Sequence, residues 1–216
     1  MKTAKANGLL YIADPMCSWC WGFAPVIRSI TKQYGNKLPT WVIVGGLAPG
    51  ETTPLNDSTK ASIREHWDHV HEATSQPFDF EFFERENFVY DTEPPSRAVV
   101  TARQIDPFRT MDFLEYLHGA FYRENRDITD NETLSDLAQE FGFNREEFAH
   151  VLLSDATKKA TTNDFVTSRK MGINGFPCLI GHANNELVAI SNGYRSWEHV
   201  IRDIDFWLHH STNEQE

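Results

Sequence analysis

Gly8-Leu9-Leu10-Tyr11-Ile12-Ala13-Asp14-Pro15-Met16-Cys17-Ser18-Trp19-Cys20-Trp21-Gly22 decides how this chain reads. Residues 8–14 form a short apolar run bounded by Pro15, the pattern of a buried strand. From Cys17 a helical spacing begins, with Phe23, Val26, Ile27 and Ile30 on one face. Two cysteines three apart therefore stand at the start of a helix, directly after a strand. The partial positive charge of a helix N-terminus favours a thiolate on the first of them, so Cys17 is the expected nucleophile, partly exposed. Cys20, one turn further in, is the expected resolving thiol. Cys-x-x-Cys alone fits a metal site as well as a redox pair, and its surroundings have to choose between them.

Outward from the motif, Pro25 removes one bond inside the helical pattern and predicts a kink. Gly35-Asn36 closes that helix, and residues 40–46 read as a second buried strand, giving a βαβ opening with parallel strands. Residues 49–58 hold Pro49, Gly50, Pro54, Asn56 and Asp57, a loop. The chain is then mostly helical to about residue 170. Helices are predicted over 59–73, from Pro94-Pro95 through Ile105, after the cap Asp106-Pro107, after the capping-box pattern Thr129-x-x-Glu132, after Asn144, and over 155–171. Strand signals return at 178–180 and 187–190 around a hairpin turn at Asn184-Asn185. Ser196 caps a last amphipathic helix carrying Trp197, Val200, Ile201, Ile204, Trp207 and Leu208. The fold class is α/β: a βαβ start and a ββα end flank an all-helical middle. Residues 1–56 and 155–216 make one domain, and residues 57–154 an inserted helical one.

The chain has 216 residues, 40% of them hydrophobic, enough for a sizeable core. Its net charge of −11 repels nucleic acid and anionic lipid, which argues against both as partners. No run approaches the ~20 apolar residues of a membrane span. The N-terminus lacks a signal-peptide core, so the expected location is cytoplasmic. Three cysteines make no disulfide framework, and in a reducing compartment Cys-x-x-Cys is catalytic or metal-binding. The polar tail at 211–216 is expected to be disordered.

Three segments carry a family resemblance: Asp14 to Gly22, Tyr90-Asp91-Thr92-Glu93-Pro94-Pro95-Ser96-Arg97-Ala98, and Gly172-Ile173-Asn174-Gly175-Phe176-Pro177. Together with the element order they resemble the DsbA-like thioredoxin superfamily, most of all its cytoplasmic FrnE-like branch, whose members are described as protein-disulfide isomerases. The resemblance implies a thioredoxin fold with a large all-helical insertion. It implies a thiol–disulfide oxidoreductase or isomerase in which Cys17 forms a mixed disulfide and Cys20 resolves it. It implies that Pro177 is a cis-proline facing the motif, with Phe176 presenting its backbone to an extended substrate. Ser18, Trp19, Trp21 and Phe176 are the candidate substrate-binding residues. No cofactor is implied. The partners are cysteine-containing proteins or peptides, with glutathione and a second copy of the chain as further candidates. Tyr11 stands where the superfamily often holds a buried carboxylate that takes the proton of the second cysteine. Asp14 either serves instead or simply turns the chain.

Two other readings compete. Kappa-class glutathione transferases and 2-hydroxychromene-2-carboxylate isomerases share the fold and bind glutathione, but generally carry serine where Cys17 stands. A non-enzymatic thiolate metal or cluster site would use Cys178, directly after Pro177, although strand alternation turns that side chain into the core. Glu65, His69 and Glu72 share a helix face and fit a metal, but a solvated charged face explains them more simply. Arg97 is expected to pair with Glu93.

Overall fold

The computed structural model describes residues 7–213. Residues 1–6 and 214–216, which include parts of the predicted unstructured ends, lie outside the described residues. Four strands form one sheet in the order β2-β1-β3-β4: β1 (Gly8–Ala13), β2 (Thr40–Val44), β3 (Cys178–Ala183) and β4 (Glu186–Asn192). β1 and β2 run parallel, with Tyr11 opposite Val42, and β3 and β4 are antiparallel to their neighbours. The crossover from β1 to β2 is α1 (Ser18–Tyr34), unbroken through Pro25. Asn184 and Asn185 make the β3–β4 turn with φ of 52° and 68°, left-handed values that asparagine tolerates.

Between β2 and β3 lie α2 (Asp57–Thr74), α3 (Glu93–Ile105), α4 (Thr110–Tyr122), α5 (Asn131–Phe141), α6 (Arg145–Leu153) and α7 (Asp155–Lys170). The helical middle is interrupted over residues 75–92, where only a 3-10 turn at Phe80–Glu84 forms. Its phenylalanines pack on Trp67 of α2, with ring centroids 5.1 Å away for Phe82 and 4.8 Å for Phe83. The cap of α5 is Asp130, not the predicted Thr129. The Asp130 carboxylate accepts from Thr133 N at 2.8 Å, while Thr129 is held by Asp127. The last helix, α8 (Trp197–Asn213), extends into the stretch predicted as a disordered tail.

The core lies on both faces of the sheet. Leu9, Tyr11, Leu179 and Ala183 join α1, α4 and α8 in the main cluster. Ile12, Ile173, Cys178 and Ile180 form a smaller cluster on the other face, as strand alternation requires. Asp164 of α7 fastens the β2 edge of the sheet: it accepts from Val44 N and pairs with Arg103 at 2.8 Å. Among the described residues no helix is long and apolar enough to cross a membrane.

Candidate active site

Cys17 is the N-cap of α1, and its carbonyl accepts from Cys20 N at 2.9 Å and Trp21 N at 3.1 Å. Its side chain makes no capping bond and the first turn holds no acidic residue, so the positive helix end is left for the sulfur. The thiol instead reaches across 159 positions to the carbonyl of Phe176, with Sγ donating at 3.5 Å. The Phe176–Pro177 peptide bond is cis. That contact leaves Cys17 only 7% exposed, less than a helix start standing in solvent would give. Cys20 is fully buried behind it, and both cysteines are free thiols. Burial pushes the Cys20 thiol well above its usual range, and the neighbouring Cys17 sulfur adds to the shift.

A cleft of about 700 Å³ opens beside Cys17. Its floor is Met16, Cys17, Ser18 and Trp19, one wall is the segment around Leu47 to Asn56, and the other is the α2 face of Thr59, Ile63 and His66. Gly175, Phe176 and Tyr90 complete it. The Phe176 ring occupies the space that a Cβ on Gly45 would need, 2.0 Å from its position, so the glycine after β2 is what lets that ring lie there. Trp19 packs against Tyr194, ring centroids 5.5 Å apart.

Ser18, Trp19 and Phe176 are thus gathered beside Cys17, with Pro177 directly after Phe176. Trp21 is not. It is 4% exposed, its Nε1 donates to Pro77 O at 3.0 Å, and its ring lies stacked 6.4 Å from Tyr122. One residue beyond Cys20 the helix has turned this side chain away from the cleft and under the insertion. Cys178 is likewise away from the motif, 4% exposed in the smaller core cluster. Among the described residues no group of three or more histidine, cysteine or acidic side chains is placed to hold a metal ion.

Asp14 both turns the chain and sits beside the site. Its carboxylate accepts from Met16 N at 2.9 Å and Leu47 N at 2.7 Å, and its carbonyl accepts from Cys17 N. The residue is wholly buried, which pushes its carboxyl up to about 6 despite those bonds. The segment Tyr90–Ala98 braces the same corner. The Tyr90 hydroxyl donates to Met16 O, and Thr92 Oγ1 accepts from Ala48 N. The sequence pointed to the Tyr90 segment only through its family likeness. It gave no sign of the Leu47 wall or of His118 on α4, because these reach the site only through tertiary packing.

A buried and a near-surface thiol on a helix start, facing a cis-proline loop on this sheet, define a thioredoxin-fold dithiol protein. The thioredoxin family model Thioredoxin_5 matches residues 10–195, and the chain belongs to that family. Solved structures described as DsbA oxidoreductases, from Streptomyces coelicolor and Xylella fastidiosa, share its fold over 93% and 96% of this chain. A solved structure from Nitrosomonas europaea described as a "putative protein disulfide isomerase" is 39% identical, with a TM-score of 0.90 over 95% of this chain and 99% of that one. The cytosolic disulfide reductase DsbM from Pseudomonas aeruginosa is 24% identical, with a TM-score of 0.74 over 96% of this chain and 98% of its own. The ClpXP adapter protein SpxH of Halalkalibacterium halodurans is 24% identical over 188 residues, 85% of this chain. The chain spans only 61% of that relative's length.

Proposed function

We propose that this protein exchanges thiols and disulfides on cysteine-containing peptides or proteins in the cytosol, through a mixed disulfide on Cys17. The observation that carries the reading is the Cys17 sulfur held at the carbonyl of Phe176, both in the lining of a cleft of about 700 Å³. In the reducing direction the Cys17 thiolate attacks a substrate disulfide, forms a bond to one sulfur and expels the other as a thiolate. Cys20 then attacks the Cys17 sulfur, releases the second substrate thiolate, and leaves a Cys17–Cys20 disulfide. The substrate gains two electrons and the protein dithiol loses them. Phe176 and Gly175 offer backbone beside the nucleophile, the arrangement by which a peptide strand is held. Ser18 and Trp19 line the floor against which its side chains would rest.

Insulin reduction and reactivation of scrambled ribonuclease test this. Cys17→Ser is expected to abolish both. Cys20→Ser is expected to accumulate a mixed disulfide with substrate, visible by mass spectrometry under non-reducing conditions. Full activity in Cys17→Ser would overturn the proposal.

Glutathione is the proposed recycling thiol. DsbM of Pseudomonas aeruginosa has been solved with GSH. The polar side chains that line the present cleft include Ser18, Glu51, Thr53, Asn56, Thr59 and His66, which offer hydrogen bonds to a short peptide thiol. Two glutathione molecules would return the Cys17–Cys20 disulfide to the dithiol and leave as one glutathione disulfide. Mass spectrometry of the oxidised protein in a glutathione buffer checks this: the pair should be reduced as the glutathione ratio rises.

A further inference from the structure

The two edges of the sheet are finished differently. At the β2 edge, Arg103 of α3 donates to Val42 O at 2.7 Å and Asp164 of α7 accepts from Val44 N at 3.1 Å. Side chains there occupy backbone groups that another strand would use. At the opposite edge, among the described residues, β4 is paired with β3 alone. Its first four residues, Glu186, Leu187, Val188 and Ala189, are all exposed. Edge strands of monomeric proteins are usually blunted by lysine, by proline or by a covering element. This stretch holds neither lysine nor proline, and Glu186 is its single charge. Ile190 is an extra residue in the pairing with β3, so the strand bends there and its flat part ends at Ala189.

Val188 lies opposite Gly181, whose missing Cβ makes room for the Trp207 ring of α8. Val188 therefore sits on the face that α8 covers. Between that helix and β4 runs a groove of about 440 Å³, lined by Glu186, Val188, Ile190, Arg195 and Phe206 among others. Phe206 is 67% exposed. Of the large hydrophobic side chains exposed among the described residues, Leu187, Val188 and Phe206 gather at this one edge. Exposed apolar residues scattered singly need no explanation, but a group along an open strand marks an interaction surface.

We propose that β4 and α8 form the interface of a homodimer, in which β4 pairs antiparallel with β4 of a second copy and continues the sheet across a two-fold axis. The inference is independent of the thiol–disulfide reading above. A single peptide strand would satisfy the open backbone but leave Phe206 in water. A second copy covers both. A two-fold axis perpendicular to the sheet keeps the two α8 helices on one face, so each Phe206 packs over the other copy's groove. Charge favours the same arrangement. With Leu187 opposite Val188 of the second copy, each Glu186 falls opposite Ala189, towards the end of the groove that holds Arg195. Parallel addition would instead stack Glu186 on Glu186. On a chain of net charge −11 most of the surface repels a second copy, and an edge with one acidic residue and a nearby arginine is a place where that repulsion is relieved.

Sedimentation velocity over a concentration series, under reducing conditions that exclude intermolecular disulfides, tests this. The wild-type protein is expected to pass from monomer to dimer as concentration rises. Phe206→Glu and Val188→Lys are each expected to weaken the dimer by about tenfold or more, the size of a lost interface anchor. Both side chains are exposed in the single chain, so urea midpoints close to wild type check that the variants are folded. Phe108→Glu is the control. It replaces an aromatic that is 92% exposed beside Trp41 at the β2 end, and should leave the dimer unchanged. Hydrogen exchange at low and high protein concentration reads the strand pairing itself: the amides of residues 187–189 should exchange more slowly in the dimer. A wild-type protein that stays monomeric throughout would overturn the proposal. So would a dimer broken by Phe108→Glu and spared by Phe206→Glu, or one whose β4 amides exchange as fast as in the monomer.

Discussion

At the scale of single residues the site depends on a space as much as on a side chain. Phe176 can lie beside Cys17 because Gly45 has no Cβ; one built there would come within 2.0 Å of the ring. Gly45→Ala is therefore expected to displace the ring, at a stability cost of about 1–3 kcal/mol typical of overpacking. It should also reduce turnover of peptide disulfides several-fold. Urea midpoints and insulin reduction measure the two effects separately; unchanged turnover would show that Phe176 does not position substrate. The two cysteines, Ser18 and Trp19 were legible in the sequence because local spacing carried them, and the Phe176–Pro177 pair through the family resemblance. Trp21 was not, since what hides it is Pro77, 56 residues away, and Tyr122, which no local pattern links to it.

At the scale of elements the insertion is tied together by one buried cation. Arg97 of α3 is 6% exposed; its Nε donates to Glu93 at 2.9 Å, one turn earlier, as the sequence spacing anticipated. Its other nitrogens do what the spacing did not show: Nη1 donates to Leu152 O at the end of α6, and Nη2 to Asn131 Oδ1 at the start of α5. A lysine carries the charge but not the planar fork. Arg97→Lys is expected to lower stability by about 1–3 kcal/mol, because the Leu152 carbonyl and the Asn131 side-chain oxygen lose their donors. Thermal melts check it, and a shift within error would show that the three helices hold together without this hub. The same contrast governs what the sequence revealed of the elements. Strands, helices and the Asn184-Asn185 turn follow from periodicity and turn chemistry. The irregular 75–92 stretch takes its shape from Trp67, and the shift of a cap from Thr129 to Asp130 rests on which side chain reaches Thr133 N.

At the scale of the whole molecule, two buried titratable groups from distant parts of the chain, Asp14 and His118, meet beside the start of α1. His118 Nε2 is 3.2 Å from the carbonyl of Asp14, and both residues are almost wholly enclosed. Burial raises Asp14 to about 6 and lowers His118 to about 4. Asp14 is thus easier to protonate folded than unfolded; its stabilising contribution is complete below about 4 and is lost as pH rises through about 6. His118 is harder to protonate folded; its contribution is complete above about 6.5 and is lost as pH falls through about 4. Over the window from about 4 to about 6 the two slopes have opposite signs and similar size, each worth about 3 kcal/mol across its full shift. The protein is therefore expected to lack the acid destabilisation that His118 alone would produce, because protonation of Asp14 offsets it over the same range. His118→Gln removes one slope and leaves the other. Its stability relative to wild type should rise by about 3 kcal/mol as pH falls from about 7 to about 4, with Asp14→Asn changing in the opposite direction. Urea midpoints at several pH values test both variants against wild type. A constant offset for each, independent of pH, would mean that neither group titrates in the folded protein over this range and that the compensation does not exist.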